Sequence, residues 1–217
     1  MSDSYEVYAQ VAQAHDLVHL GCWAHCRRYF VGALDALPKS ARTPDKPAAQ
    51  FLALIARLYA VESHAQGNNL SNNLSASARH HYRQEHSVAG LGQIQALVLT
   101  HLHAVMPGGA LGKALHYLSA QWPKLSRYVE NGSYPFDNNS CENSIRPFVV
   151  GRRNWLFSDT VAGANASANL YSLLQTCKAN GINSYRYLKA LLVALPLAQT
   201  ADDYEALLPR NLVLPTK

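Results

Sequence analysis

Apolar residues recur every three to four positions through most of this chain, the period of helices that bury one side. From Trp23 onward, Trp23, Tyr29, Phe30, Ala33, Leu34 and Leu37 broadly share one helical face, and Pro38 should end that helix. A polar loop, Ser40–Lys46, leads into a helix over 48–65 whose inner face is Phe51, Leu54, Ile55, Leu58 and Tyr59. The Asn- and Ser-rich run over 67–77 reads as a flexible connection. Helical patterns resume near Ala78 and Gly92, and Met106–Gly109 breaks the chain. A further helix follows that Pro123 should kink or end, with Gly132 as the expected C-terminal stop.

The two flanks of this helical span read differently. At the start, a helical pattern over 5–14 precedes a short apolar run, Leu17–Cys22, that suits a buried strand in the order of a βαβ unit. Beyond Gly132, the side chains of Asp137, Asn138 and Asn139 suit a helix start near Asn138, with Glu142 in the first two turns and Pro147 limiting the length. The segment FVVGRRNWLF then reads as two short extended pieces about Gly151. A close-packed buried helix is expected next, with Leu170, Leu173, Leu174 and Cys177 on one side and Gly181 as its cap. Asn183 opens a last long helix and Pro196 closes it. No internal repeat interrupts this order.

Composition narrows the class. With 217 residues and 48% hydrophobic content, the chain suits one large packed domain, or a core domain bearing an insertion, rather than a disordered segment. A formal charge of +5 and a pI near 9.0 permit a nucleic-acid partner without requiring one. The four cysteines are too sparse for a secreted disulfide framework, and neither a leader-like segment nor an apolar run of about 18 residues is present, so the cytoplasm is the expected compartment. Cys22, His25 and Cys26 have a spacing at which thiolate and imidazole share one zinc ion, but a fourth ligand is not in sight. His80, His81, His101 and His103 read as surface or packing histidines.

Chemistry concentrates in Tyr134–Phe157, YPFDNNSCENSIRPFVVGRRNWLF, where acid, amide and guanidinium groups crowd together. Glu142 has two readings on spacing alone: a functional carboxylate held on a rigid helix, or an acid that complements the positive helix end. The motif DNNSCENSIRP, followed by GRRNWLF, then ANASANLYSLLQTCKANG and finally DDYEALLP, resembles the insertion sequence sixty-six family of bacterial DDE transposases. Similar segments run from about Asp3 to Leu208.

That resemblance implies a ribonuclease H-like α/β domain carrying a large helical insertion, so that only an α/β remnant accompanies a predominantly α-helical chain. It divides the chain into a core segment over 1–23, the insertion over 24–132, the rest of the core over 133–195 and a C-terminal element over 196–217. It implies DNA cleavage and strand transfer at insertion-sequence ends, with Mg²⁺ or Mn²⁺ held by carboxylates. Glu142 matches the Glu of the DNNxxE motif, and Asp3 the second catalytic Asp, although Ser4 replaces the usual Gly. From the residues alone, Asp3 reads equally as an N-cap for the helix over 5–14. The first catalytic Asp has no counterpart, which makes the expectation a truncated and catalytically impaired transposase. The alternative is a non-catalytic DNA-binding or inhibitory fragment, and an unrelated helical interaction module stands behind both. CWAH followed by RR is a recurrent family motif, which puts Arg27 and Arg28 forward as phosphate contacts, with solvated surface arginines as the alternative; Arg146, Arg152 and Arg153 make the region after Glu142 strongly basic and are further candidate DNA contacts. Arg210 stands where the family's LLPWN has an aromatic. DNA and other transposase chains are the implied partners, and no membrane is.

Overall fold

Helices supply nearly all the regular structure of the computed structural model, which describes residues 1–2, 6–66 and 74–213. Two compact units emerge, Met1–Ser140 and Cys141–Lys217. Asp3 and most of the Asn-rich run after Gln66 lie outside the described residues.

The first unit holds α1 (Glu6–Ala14), α2 (Trp23–Asp35), α3 (Pro47–Gln66), α4 (Ala76–His86), α5 (Val88–His101) and α6 (Ala110–Ser126), with short 3-10 turns at Lys39–Ala41 and Arg127–Glu130. Its core gathers Trp23 and Phe30 from α2 and Phe51, Ile55 and Leu58 from α3, which the periodicity marks, together with Cys26 from α2, Ile94 from α5, and Leu115, Leu118 and Leu125 from α6, while Tyr29 of the expected α2 face is 43% exposed. Burying side chains of this size contributes about 1.5–3 kcal/mol each before the entropy of ordering is charged. Stacked rings tie the helices pairwise, Phe30 on Phe51 at 4.5 Å and Tyr29 on Tyr117 at 4.4 Å.

Several expectations change here. The segment over 17–22 is not a buried strand: Leu20 is buried, but Leu17 and Val18 are exposed, and the pairing among the described residues is one parallel bridge from Ser2 to Gly21. The Ser2 N–H donates to the Leu20 carbonyl at 3.2 Å. In sequence, α1 lies between the two bridged residues. Pro123 does not end α6, which runs on to Ser126 because Leu118 and Leu125, on either side of it, are both buried; their packing outweighs the one backbone hydrogen bond that proline removes. Gly132 follows the helical run for a steric reason. A Cβ there would stand 1.8 Å from the Ala76 carbonyl oxygen at the start of α4.

The second unit contains most of α7 (Asn139–Trp155), then α8 (Val161–Ala179), α9 (Ser184–Ala194) and α10 (Ala201–Ala206). Neither Pro147 nor the β-branched pair Val149 and Val150 interrupts α7, so the two extended pieces expected about Gly151 are helix instead. Pro147 and Asn143, whose carbonyl loses its partner, are both exposed, which lowers the cost of the lost bond because the residues lie at the surface. The close-packed buried helix expected between Thr160 and Gly181 is also corrected: α8 buries only Cys177, while Leu170 is 46% exposed. Its end is as expected. Gly181 adopts φ +68°, Ile182 N–H donates to the Cys177 carbonyl at 2.9 Å, and Gly181 N–H to that of Lys178 at 3.3 Å, the paired bonds of a Schellman cap. Asn183 caps α9 through the Arg186 N–H, and a small core of Cys177, Tyr187, Leu191 and Leu207 joins α8, α9 and the segment after α10.

Candidate functional site

The first unit brings the CWAH segment against the DNN segment more than a hundred residues away. Trp23 lies flat on Phe136 with ring centroids 5.8 Å apart, and its indole N–H donates to the Leu125 carbonyl at 2.9 Å. The Trp23 backbone N–H reaches the Phe136 carbonyl at 3.4 Å, and the Asn138 N–H donates to Cys22 Sγ at 3.3 Å. Tyr59 and Tyr128 each meet Phe136 edge-on at 4.8 Å. The loop entering α7 is therefore held on three sides, by the start of α2, by α3 and by the 3-10 turn.

Asp137 is the polar centre of this loop. Its Oδ1 accepts the Asn139 backbone N–H at 3.1 Å, and its Oδ2 accepts the Asn139 side-chain amide at 2.8 Å and the Tyr59 hydroxyl at 3.2 Å. Burial, and then the Asp137 charge, push the Tyr59 phenol well above its ordinary value, so it stays a protonated donor. Sequence reasoning counted Tyr59 only as part of an apolar face. The signal that would have found it is the hydroxyl, since a half-buried tyrosine normally directs that group to a partner.

Beside the loop opens a cleft of about 490 Å³ lined by Ala24, Arg27, Arg28, Ala56, Tyr59 and Asn139. Arg27 and Arg28 are both exposed. Two of the five candidate phosphate contacts thus share one cavity with the third residue of the DNN motif.

Along α7, Glu142 sits in the first turn and is half-buried. At about 100° per residue, Arg146 and Arg153 fall within about 40° of Glu142 around the helix, and the three span about 16 Å along it. Arg152 lies about 80° off that line, and its Nε approaches the Leu156 carbonyl at 3.5 Å, just past the helix end. Arg146, Arg152 and Arg153 are exposed, and none forms an ion pair with a carboxylate among the described residues.

No three His, Cys, Asp or Glu side chains gather as a metal ion would require among the described residues, and Asp3 lies outside them. The carboxylate of Glu142 is a hard oxygen donor of the kind Mg²⁺ takes, but one such donor does not define a site. Cys22 and Cys26 are wholly buried, and burial, then the neighbouring Cys22, push the Cys26 thiol far up, away from the thiolate that zinc binds. No helix among the described residues is long and apolar enough to cross a membrane.

The DNN loop and Arg27 and Arg28 thus share a cleft, and the helix that follows bears a carboxylate and further arginines. The chain belongs to the IS66 transposase family: the profile described as "Transposase IS66 family" matches residues 1–166, and that of the "IS66 C-terminal element" matches 172–209. Three similar proteins come from Sinorhizobium fredii (strain NBRC 101917 / NGR234). "Uncharacterized protein y4qI" is 29% identical over 96% of this chain and 38% of its own length. "Uncharacterized protein y4jD" is 29% identical over 88% of this chain and 35% of its own length, and "Uncharacterized protein y4hP" is 25% identical over 95% and 38%. The chain thus spans little more than a third of the relatives it matches. No solved structure matches it.

Proposed function

We propose that this chain is a DNA-binding portion of an IS66 transposase, acting on insertion-sequence ends in the bacterial cytoplasm, with Glu142 in the role of the family's third metal-binding carboxylate and Asp3 in that of the second. The reading rests above all on α7, one unbroken helix with Glu142 in its first turn and Arg146 and Arg153 on the same side. Guanidinium groups that lack carboxylate partners suit phosphate oxygens, and contacts to phosphate hold DNA in register without reading its sequence. Arg27 and Arg28 add positive charge to the cleft beside Asn139. The parallel bridge from Ser2 to Gly21, with α1 between them in sequence, supports the reading of the opening segment as part of a ribonuclease H-like α/β core, with the helices that follow it as the insertion.

In-line displacement at phosphorus with two divalent cations requires several hard ligands around the reacting phosphate. Glu142 would supply one of them, orienting Mg²⁺ or Mn²⁺ when that ion is bound. Two carboxylates carry two negative charges, too few to hold two dications against their mutual repulsion, so this chain by itself binds DNA without cutting it. The test is incubation of the purified chain with Mg²⁺ or Mn²⁺ and DNA carrying the element's ends, beside a Glu142→Gln variant. Binding without cleavage is expected from both proteins. Cleavage that Glu142→Gln abolishes would overturn the inactivity while upholding Glu142 as a ligand.

A further inference from the structure

The DNN loop is anchored by a side chain from a helix remote in sequence, and nothing in the family resemblance assigns that side chain a role. Tyr59 stands on α3, 78 residues before Asp137. Its ring packs edge-on against Phe136, and its hydroxyl donates to Asp137 Oδ2. Through its two oxygens Asp137 also accepts both the backbone and the side-chain N–H of Asn139, the first residue of α7. The carboxylate therefore has three donors, two of them from one residue of the helix and the third from α3. Without the third, Asp137 is held only by Asn139, two residues away, and no hydrogen bond ties its carboxylate to α3.

We infer that Tyr59 is a positioning residue, which fixes Asp137 and through it the start of the helix that carries Glu142. The inference rests on the proposed role of Glu142 for its catalytic meaning, since a ligand displaced by about 1 Å costs on the order of a hundredfold in rate. Its physical content is independent of that role. The α3 helix belongs to the segment read as an insertion, so the insertion would contribute directly to the geometry of the catalytic motif.

Tyr59→Phe keeps the ring against Phe136 and removes only the donor. Backbone amide exchange in the full chain, followed residue by residue by NMR, is the primary readout. In Tyr59→Phe the amides of Asn139, which donates to Asp137, and of Asn143 and Ser144, the first with acceptors inside α7, should exchange about tenfold faster, while those of Phe51–Leu58 in α3 keep their protection. Asp137→Asn should speed the same amides, and the double variant should go no further than the faster single one. Unchanged exchange at Asn139, Asn143 and Ser144 in Tyr59→Phe would overturn the inference. Loss of protection throughout α3 as well would do so too, by reassigning Tyr59 to general packing. A Glu142→Gln variant separates the two readings. It should retain the wild-type exchange pattern but lose the broadening of early α7 signals by added Mn²⁺. Broadening that persists in Glu142→Gln would refute the ligand role of Glu142 and leave the positioning role of Tyr59 to be judged on exchange alone.

Discussion

Glu62→Gln should be among the most damaging single changes in the first unit, because it strands a guanidinium inside the protein. Arg83 is 1% and Glu62 3% exposed. They pair through two parallel bonds, Nε to Oε1 at 2.8 Å and Nη2 to Oε2 at 2.7 Å. The remaining Arg83 nitrogen, Nη1, donates to the carbonyls of Tyr128 at 2.8 Å and Asn131 at 2.9 Å, and the guanidinium lies 5.1 Å from the centre of the Tyr128 ring. Removing one charge of a buried pair costs about 3–5 kcal/mol. With an unfolding entropy of about 2.1 cal/mol/K per residue, a loss of 4 kcal/mol in a unit of this size lowers Tm by about 10–15 °C. Urea unfolding followed by tryptophan fluorescence suits the measurement, since Trp23 and Trp122 report on this unit and Trp155 on the other. The midpoint should fall with little change in slope. The double variant Glu62→Met with Arg83→Met, which leaves no charge unpaired, should recover part of the loss. A loss below about 1 kcal/mol for Glu62→Gln, the range of exposed pairs, would refute the reasoning by showing that water reaches the guanidinium.

Thiol reactivity should divide the cysteines by burial: a disulfide reagent added to native protein should modify Cys141 rapidly, and Cys22, Cys26 and Cys177 only after denaturant is added. Fast native labelling of a second cysteine would contradict the packing of α2 or α8. Acid should loosen the opening segment through His19, whose Nε2 lies 2.6 Å from the Ser2 hydroxyl. Burial first, and then the Lys124 charge, lower its pKa from the ordinary 6.5. The unfolded chain therefore binds a proton that the folded one resists, and stability falls as pH drops through 6.5 toward the lower folded value. His19→Gln should remove that component from a pH series of urea midpoints, and an unchanged pH dependence would count against it.

How much of this was legible in the sequence follows from which forces are local. The inner faces of α2 and α3 were readable because Phe30, Phe51, Ile55 and Leu58 keep a helical period that burial then obeys. The helix start at Asn138 and the cap at Gly181 were readable because capping depends on residues only a few positions apart. The run through Pro147, Val149 and Val150 was misread because propensity is a weak prior that surrounding context overrides. The Glu62–Arg83 pair carried a signal in hindsight. Glu62 continues the buried stripe of Phe51, Ile55 and Leu58, and an acid at such a position calls for a buried partner. That Arg83 is the partner, and that Tyr59 reaches Asp137, depend on how α3, α4 and the DNN loop come together, which no local pattern encodes.

The central claim, that the α7 arginines are a phosphate-binding surface, is tested most directly by the salt dependence of DNA binding for the wild-type chain and an Arg146→Ala, Arg153→Ala double variant with an unchanged circular dichroism spectrum. Each phosphate contact contributes about 0.9 to the slope of log K against log salt concentration. The account predicts that the double variant lowers the magnitude of that slope by about two, and by the same amount on DNA of unrelated sequence. An unchanged slope would contradict it.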